Sequence, residues 1–218
     1  KYLYNTKHTP KNIILMIGDG NGLSQISSAM IANRGQLTLT QLHNLGLLKT
    51  SAYDDLVTDS AAGGTAMATG QKTNNRAIGT DPEGNAVENL TEILGSKGFL
   101  NGIMTTDNIS GATPSSFFAH QTERDYSKAI VDDLLKSEID CFVSAGGKNH
   151  SAMQEVYERQ TIDELTNFNK RTAIYLSEHQ VKDAPSRGDL FPNHLKKVLK
   201  TLNNQNQPYF LVVEASKI

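Results

Sequence analysis

Ser60 stands behind Asp59 and ahead of a run of small residues, Ala61-Ala62-Gly63-Gly64-Thr65. A hydroxyl in the first turn of a helix lies at the positive end of the helix dipole, which favours its alkoxide, and unpaired amides there can hold an attacked phosphate. The same Asp-Ser pair before an Ala run is also a common N-cap arrangement, and physical reasoning alone leans to the cap. Gly63 and Gly64 each cost roughly 1 kcal/mol against Ala inside a helix, so close packing or close approach is expected at both. Asp19 is the second candidate. It closes an apolar run, and Gly18, Gly20 and Gly22 around it let another group come near the backbone. Ligands of parallel sheets gather at strand C-terminal ends, where this Asp would sit. An Asp that only satisfies loop amides would look the same.

Two nucleotide readings fail on spacing. Leu23 stands where a dinucleotide fingerprint needs its third Gly, and no Asp or Glu occurs between Asp19 and Asp54 to hold a ribose. The stretch 64–73 carries Gly64, Gly70, Lys72 and Thr73, but five residues separate the glycines and Gln71 intervenes before the Lys. Its Ala-rich start also favours helix over an open nest of amides.

The elements that must position these residues alternate along the chain. Apolar runs predict strands over 12–17, 45–52, 100–105, 141–145, 173–176 and 209–214. Helices are expected over 24–32, 60–69, 90–97, 114–120, 126–136, 161–169 and 192–203, the last with Pro192 in a favoured early position. Such alternation implies an α/β fold with a mostly parallel sheet covered on both faces. The stretch 146–190 is more polar and less periodic, and reads as an insertion or lid within a single domain over 1–218.

Composition narrows the partners. At 218 residues, 38% hydrophobic and 20% charged, the chain can build one sizeable core and is not disordered. A net charge of −2 offers no field that would draw in nucleic acid or an acidic membrane. No apolar stretch nears the roughly 20 residues of a membrane span. The single Cys141 lies in an apolar Cys-Phe-Val run, which suits a buried structural thiol. The chain begins at Lys1 without Met, which suggests a trimmed N-terminus and a removed export signal.

The string Val57-Thr58-Asp59-Ser60-Ala61-Ala62-Gly63-Gly64-Thr65 resembles the nucleophile motif of alkaline phosphatases. Ile14-Leu15-Met16-Ile17-Gly18-Asp19-Gly20 is similar to that family's first strand and metal loop. Ala112-Thr113-Pro114, Ala119-His120 and Arg124 resemble its central segment, and Val213-Glu214-Ala215-Ser216-Lys217-Ile218 its Val-Glu-Gly-Ala-Ser-Ile-Asp segment. The four matches occur in order from residue 14 to 218. The resemblance implies a three-layer α/β sandwich and a hydrolase of small phosphate monoesters that uses two zinc ions and one magnesium ion. It implies Ser60 as nucleophile through a phosphoserine, Arg124 as the fork that grips phosphate, and Asp59 as the group that orients Arg124. Asp19 would bridge zinc and magnesium, with Thr113 and Glu214 as further magnesium ligands and the Ser60 alkoxide held by zinc. Members are typically exported, to the periplasm or beyond, and dimeric.

The sequence also departs from the pattern. Gly111 stands two before Thr113, where the family commonly carries Asp or His, which puts the third metal's surroundings in question. The next Asp zinc ligand and the later His ligands of the family have no counterpart. His8, His43, His120, His150, His179 and His194 show no spacing of a zinc site. The expectation is therefore an N-terminal portion of the catalytic domain, a sheet incomplete at the C-terminus with an edge and part of 209–213 uncovered, and weak or absent turnover by this chain alone. A noncatalytic phosphate- or metal-binding domain is the alternative of another class. A related phosphodiesterase or sulfatase is nearer, but those resemble enzymes with Thr or a modified Cys as nucleophile.

Overall fold

The computed structural model describes residues 11–216; His8, Lys217 and Ile218 lie outside the described residues. In chain order the elements are β1 (Asn12–Gly18), α1 (Leu23–Ala32), α2 (Ser60–Thr69), α3 (Leu90–Gly95), β2 (Leu100–Asn108), α4 (Ala112–Ser115) and α5 (Ser127–Lys136). They continue with β3 (Cys141–Ala145), β4 (Glu158–Gln160), β5 (Thr172–Tyr175), α6 (Ala184–Arg187), α7 (Leu190–Asn204) and β6 (Tyr209–Ala215). The strands form one sheet in the order β1-β6-β2-β3-β5-β4, and every pairing is parallel.

Side chains alternate across β6 and so divide the core in two. Phe210 and Val212 join Ile103, Phe142, Phe117, Ile130 and Leu134 on the face covered by α2, α4 and α5. Leu211 and Val213 join Met104, Val143, Val198 and Leu202 on the face covered by α7. A parallel sheet buried on both faces explains why its strands read as continuous apolar runs rather than alternating ones. Cys141 is buried in the second cluster, and burial pushes its thiol pKa up, which keeps it unreactive.

The sheet differs from expectation in several places. β6 lies between β1 and β2 with Tyr209–Val213 buried, so the uncovered edge belongs to β1 instead, where Ile14 is 44% and Met16 70% exposed. Residues 45–52 form no strand. Leu45, Leu47 and Leu48 are exposed and find no ladder partner, and Thr50 is the one β-branched residue of the run that would favour a strand. Residues 161–169 form no helix either: Asn167 Oδ1 accepts from the Asn169 N–H at 3.1 Å, a local bond that competes with the helical pattern. Within 146–190, β4 and β5 extend the main sheet beyond β3.

Helix α2 has both ends fixed by sequence. Asp59 caps its start, accepting from the Ala62 N–H at 2.9 Å, and Gly70 ends it in the left-handed region at φ 76°. The two internal glycines prove unequal. A Cβ on Gly64 would lie 2.7 Å from Ser116 Oγ and 3.0 Å from its Cβ, whereas one on Gly63 would meet only Thr58, no nearer than 3.5 Å. Gly64 is thus the close-approach residue that lets α2 pack on α4. Gly64→Ala is expected to lower stability by about 1–3 kcal/mol through overpacking, while Gly63→Ala raises it by up to about 1 kcal/mol through helix propensity. Urea unfolding of the two variants checks the pair, and equal effects would contradict this packing.

Candidate active site

Three of the sequence-predicted residues meet at the C-terminal edge of the sheet because of register. Asp19 follows the last residue of β1, and its N–H donates to the Ala215 carbonyl at 3.1 Å. Glu214 pairs with Ile17 on one side and with Thr105 on the other, so β6 carries its carboxylate between β1 and β2. Ser60 enters from above as the first residue of α2, and its Oγ donates to Asp19 at 3.2 Å from Oδ1 and 3.3 Å from Oδ2. Forty-one residues of sequence separate this pair.

Asp59 divides its two oxygens between two tasks. Oδ1 caps α2, while Oδ2 accepts from Arg124 Nη1 at 3.1 Å and from the Arg76 N–H at 3.1 Å. Its own N–H donates to Asn75 Oδ1 at 2.8 Å. Arg124 has no other side-chain hydrogen bond among the described residues, which leaves most of its donors free. Asp19, Asp59, Ser60, Thr113 and Arg124 all line one open cavity of about 720 Å³.

Glu214 lies beneath this cavity, 2% exposed. Burial raises its carboxyl pKa above the ordinary range, hydroxyl donors from Thr105 and Thr113 pull it back, and the charges of Asp19 and Asp107 push it up again. Thr105 Oγ1 donates to Glu214 Oε2 at 2.5 Å and accepts from the Asp107 N–H at 2.9 Å. Neither Thr105 nor Asp107 is apparent from sequence as part of the site. The only signal is positional, since both lie in the strand that pairs with β6.

Gly111 acquires a physical reason here. A Cβ at that position would come within 2.6 Å of Asp107 Oδ2, so the Asp107 carboxylate occupies the space a side chain at 111 would need. His120 is accounted for structurally: its Nδ1 pairs with the Gly79 carbonyl at 2.7 Å and its Nε2 with Glu92 Oε1 at 3.0 Å.

The residues fit the two implied ions differently. Asp19, Thr113 and Glu214 are hard oxygen donors, and Glu214 feels the negative charge of Asp19 and Asp107, which a divalent cation would relieve. That donor set suits magnesium. Among the described residues no group of three or more His, Cys, Asp or Glu is arranged to hold a metal, and a zinc ion beside Ser60 would find only Asp19 and Ser60. That does not fit a tetrahedral zinc site with nitrogen or sulfur ligands.

One backbone feature beside the site is strained. Arg76, at φ 73°, occupies the left-handed region, which costs a non-Gly residue about 1–2 kcal/mol. Its guanidinium binds Glu123 and Asp125, the two neighbours of Arg124.

Comparison with known proteins places the chain in a family and matches its fold. The family model for alkaline phosphatase matches residues 10–166. Alkaline phosphatase 3 of Bacillus subtilis is 29% identical over 95% of this chain and 51% of its own length. The repressible alkaline phosphatase of Saccharomyces cerevisiae is 38% identical over 68% of this chain and 28% of its own. Among solved structures, the alkaline phosphatase of the Antarctic bacterium TAB5 superposes with a TM-score of 0.86 at 32% identity, covering 95% of this chain and 66% of that one. A mutant of the TAB5 enzyme with magnesium bound in its M3 site matches with a TM-score of 0.84 at 33% identity, over 94% and 64% of the two chains. The chain spans about half the length of the Bacillus relatives it matches.

The double task of Asp59 is open to test. Asp59→Ala should cost about 1–2 kcal/mol through loss of the cap and Asp59→Asn less, because Asn caps as well as Asp. Chemical denaturation measures both; equal losses would mean that Oδ2 rather than the cap carries the effect.

Proposed function

The chain belongs to the alkaline phosphatase family, and from that premise we propose that it carries the nucleophile half of a phosphate monoester hydrolase acting through Ser60. The observation that carries the reading is Ser60 Oγ held on both oxygens of Asp19 inside the cavity that Arg124 also lines.

The proposed chemistry follows from those positions. Arg124 grips two oxygens of the phosphate through its planar fork, with Asp59 fixing its orientation from behind. Ser60 Oγ loses its proton to water and attacks phosphorus, the P–O bond to the leaving group breaks and the departing alkoxide takes up a proton from water to leave as the alcohol. The phosphoserine that forms is then cleaved by water back to Ser60 and inorganic phosphate. Asp19 accepts the Ser60 hydroxyl proton's hydrogen bond and aims the oxygen. The N-terminus of α2 adds its partial positive charge where negative charge builds. Asp19, Thr113 and Glu214 would hold magnesium, which when bound offsets the charge of substrate and carboxylates. No step is assigned to zinc, whose donor set the described residues do not supply. Substrates would be small phosphate monoesters. Export to the periplasm or beyond, a homodimer and a single catalytic unit over 1–218 are proposals that rest on the family alone.

Hydrolysis of p-nitrophenyl phosphate at alkaline pH, with magnesium and zinc supplied, tests the reading. Slow turnover is expected from this chain, falling to the uncatalysed background in Ser60→Ala. Turnover that survives the substitution would sink Ser60 as nucleophile. Phosphate binding without any turnover would support a noncatalytic binding domain instead.

Magnesium gives an independent readout. At about 100 times its dissociation constant it should stabilise the chain by about 2.7 kcal/mol, seen as a rise in Tm that Glu214→Gln abolishes. A rise that persists in Glu214→Gln would place the ion elsewhere.

A further inference from the structure

Arg76 makes little sense as a stabilising residue. Its backbone is in a conformation that Gly adopts freely and Arg does not, and its side chain, half exposed, spends itself on two carboxylates that water and salt already screen. What those contacts share is Arg124. The Arg124 N–H donates to the Arg76 carbonyl at 2.8 Å, and the Arg76 N–H and Arg124 Nη1 both reach Asp59 Oδ2 at 3.1 Å. Arg76 Nε and Nη2 take Glu123 in a fork at 2.7 to 3.1 Å, and Nη2 also takes Asp125. One residue therefore holds Arg124 by its backbone and both of its neighbours by their side chains.

The charges give this arrangement a purpose. Glu123 and Asp125 flank the residue that must present a free guanidinium to an anion, and the Glu123 carboxyl is held below the ordinary range first by its hydrogen bond to Arg76 and only least by the charge of Arg124. An unoccupied carboxylate there would compete with phosphate for the same planar fork. Arg76 binds both carboxylates first.

We propose that Arg76 is a positioning residue for anion binding, which sequesters Glu123 and Asp125 and so keeps the Arg124 fork free for a phosphate group. The inference rests on the reading of Arg124 as the phosphate fork. It predicts that the identity of residue 76 is set by Glu123 and Asp125 rather than by the turn it occupies, where Gly would be unstrained.

Binding of inorganic phosphate to this chain, measured by titration calorimetry at low ionic strength with magnesium present, tests it. Arg76→Gly removes the side chain while relieving the backbone, so the variant should fold, and Tm confirms that. Phosphate affinity should fall about tenfold, equivalent to ~1.4 kcal/mol. Adding Glu123→Gln and Asp125→Asn to Arg76→Gly should restore most of the loss, which a merely structural role of Arg76 would not allow. Undiminished affinity in Arg76→Gly overturns the proposal, and so does a loss that the two neutralising substitutions fail to restore. Arg124→Ala separates the two levels: if it binds phosphate as well as the parent, or if the parent binds none, the reading of Arg124 itself fails.

Discussion

The carboxylate of Asp59 joins the two halves of the site. Through Oδ1 it starts helix α2, and the residue after a cap must be the first in the helix, so capping alone puts Ser60 at the positive end of the dipole. Through Oδ2 it fixes Arg124, which reaches the cavity from a loop 65 residues away in sequence. In the proposed reaction a nucleophile and an anion fork must stand at a fixed separation to act on one phosphorus atom, and one side chain, Asp59, contacts the segments that carry both. The parallel sheet supplies the other constraint. Register between β1 and β6 puts Ile17 beside Glu214, and Asp19 follows two residues after Ile17, just past the end of β1. A slip of one residue would turn Glu214 to the other face and take it away from Thr105.

Much of this was legible in the sequence, for definite reasons. Buried parallel strands leave apolar runs such as Tyr-Phe-Leu-Val-Val, and a cap with a small-residue helix leaves Asp-Ser-Ala-Ala-Gly-Gly. Both are local signals. The resemblance to a family then tied four distant segments together and brought Asp19, Ser60, Thr113, Arg124 and Glu214 into view at once. Apolar content alone does not make a strand or a helix. Residues 45–52 are as apolar as a strand, yet no neighbour completes their ladder, and Leu165 and Phe168 are buried from an irregular loop rather than a helix. The place of β6 is hidden for a related reason: its position in the chain says nothing about its place in the sheet, and it lies inside because it inserts between β1 and β2. Thr105, Asp107 and Arg76 could not have been found from spacing, since each matters only through a partner that the fold brings to it.

The electrostatic character of the cavity follows from which charges are already engaged. Lys49, Lys72 and Arg124 are the cationic side chains among its described lining residues. Lys72 Nζ is held on Ser51 Oγ at 2.7 Å, and Arg124 is tied to Asp59 by one nitrogen alone. Facing them, Asp19 lies with both oxygens on Ser60, and buried Glu214 feels Asp19 and Asp107. A phosphate placed at Ser60 would thus meet a carboxylate at van der Waals range, where two unit charges 4 Å apart repel by about 4 kcal/mol at an effective dielectric of 20. Arg124 offsets that repulsion from one side only. In the proposed site, the side chains around Asp19 favour a cation there, and a phosphate at Ser60 is accepted once that positive charge has been added. On the proposed reading affinity for the anion is conditional on the cation, and by linkage the anion then strengthens the hold on the cation by the same factor.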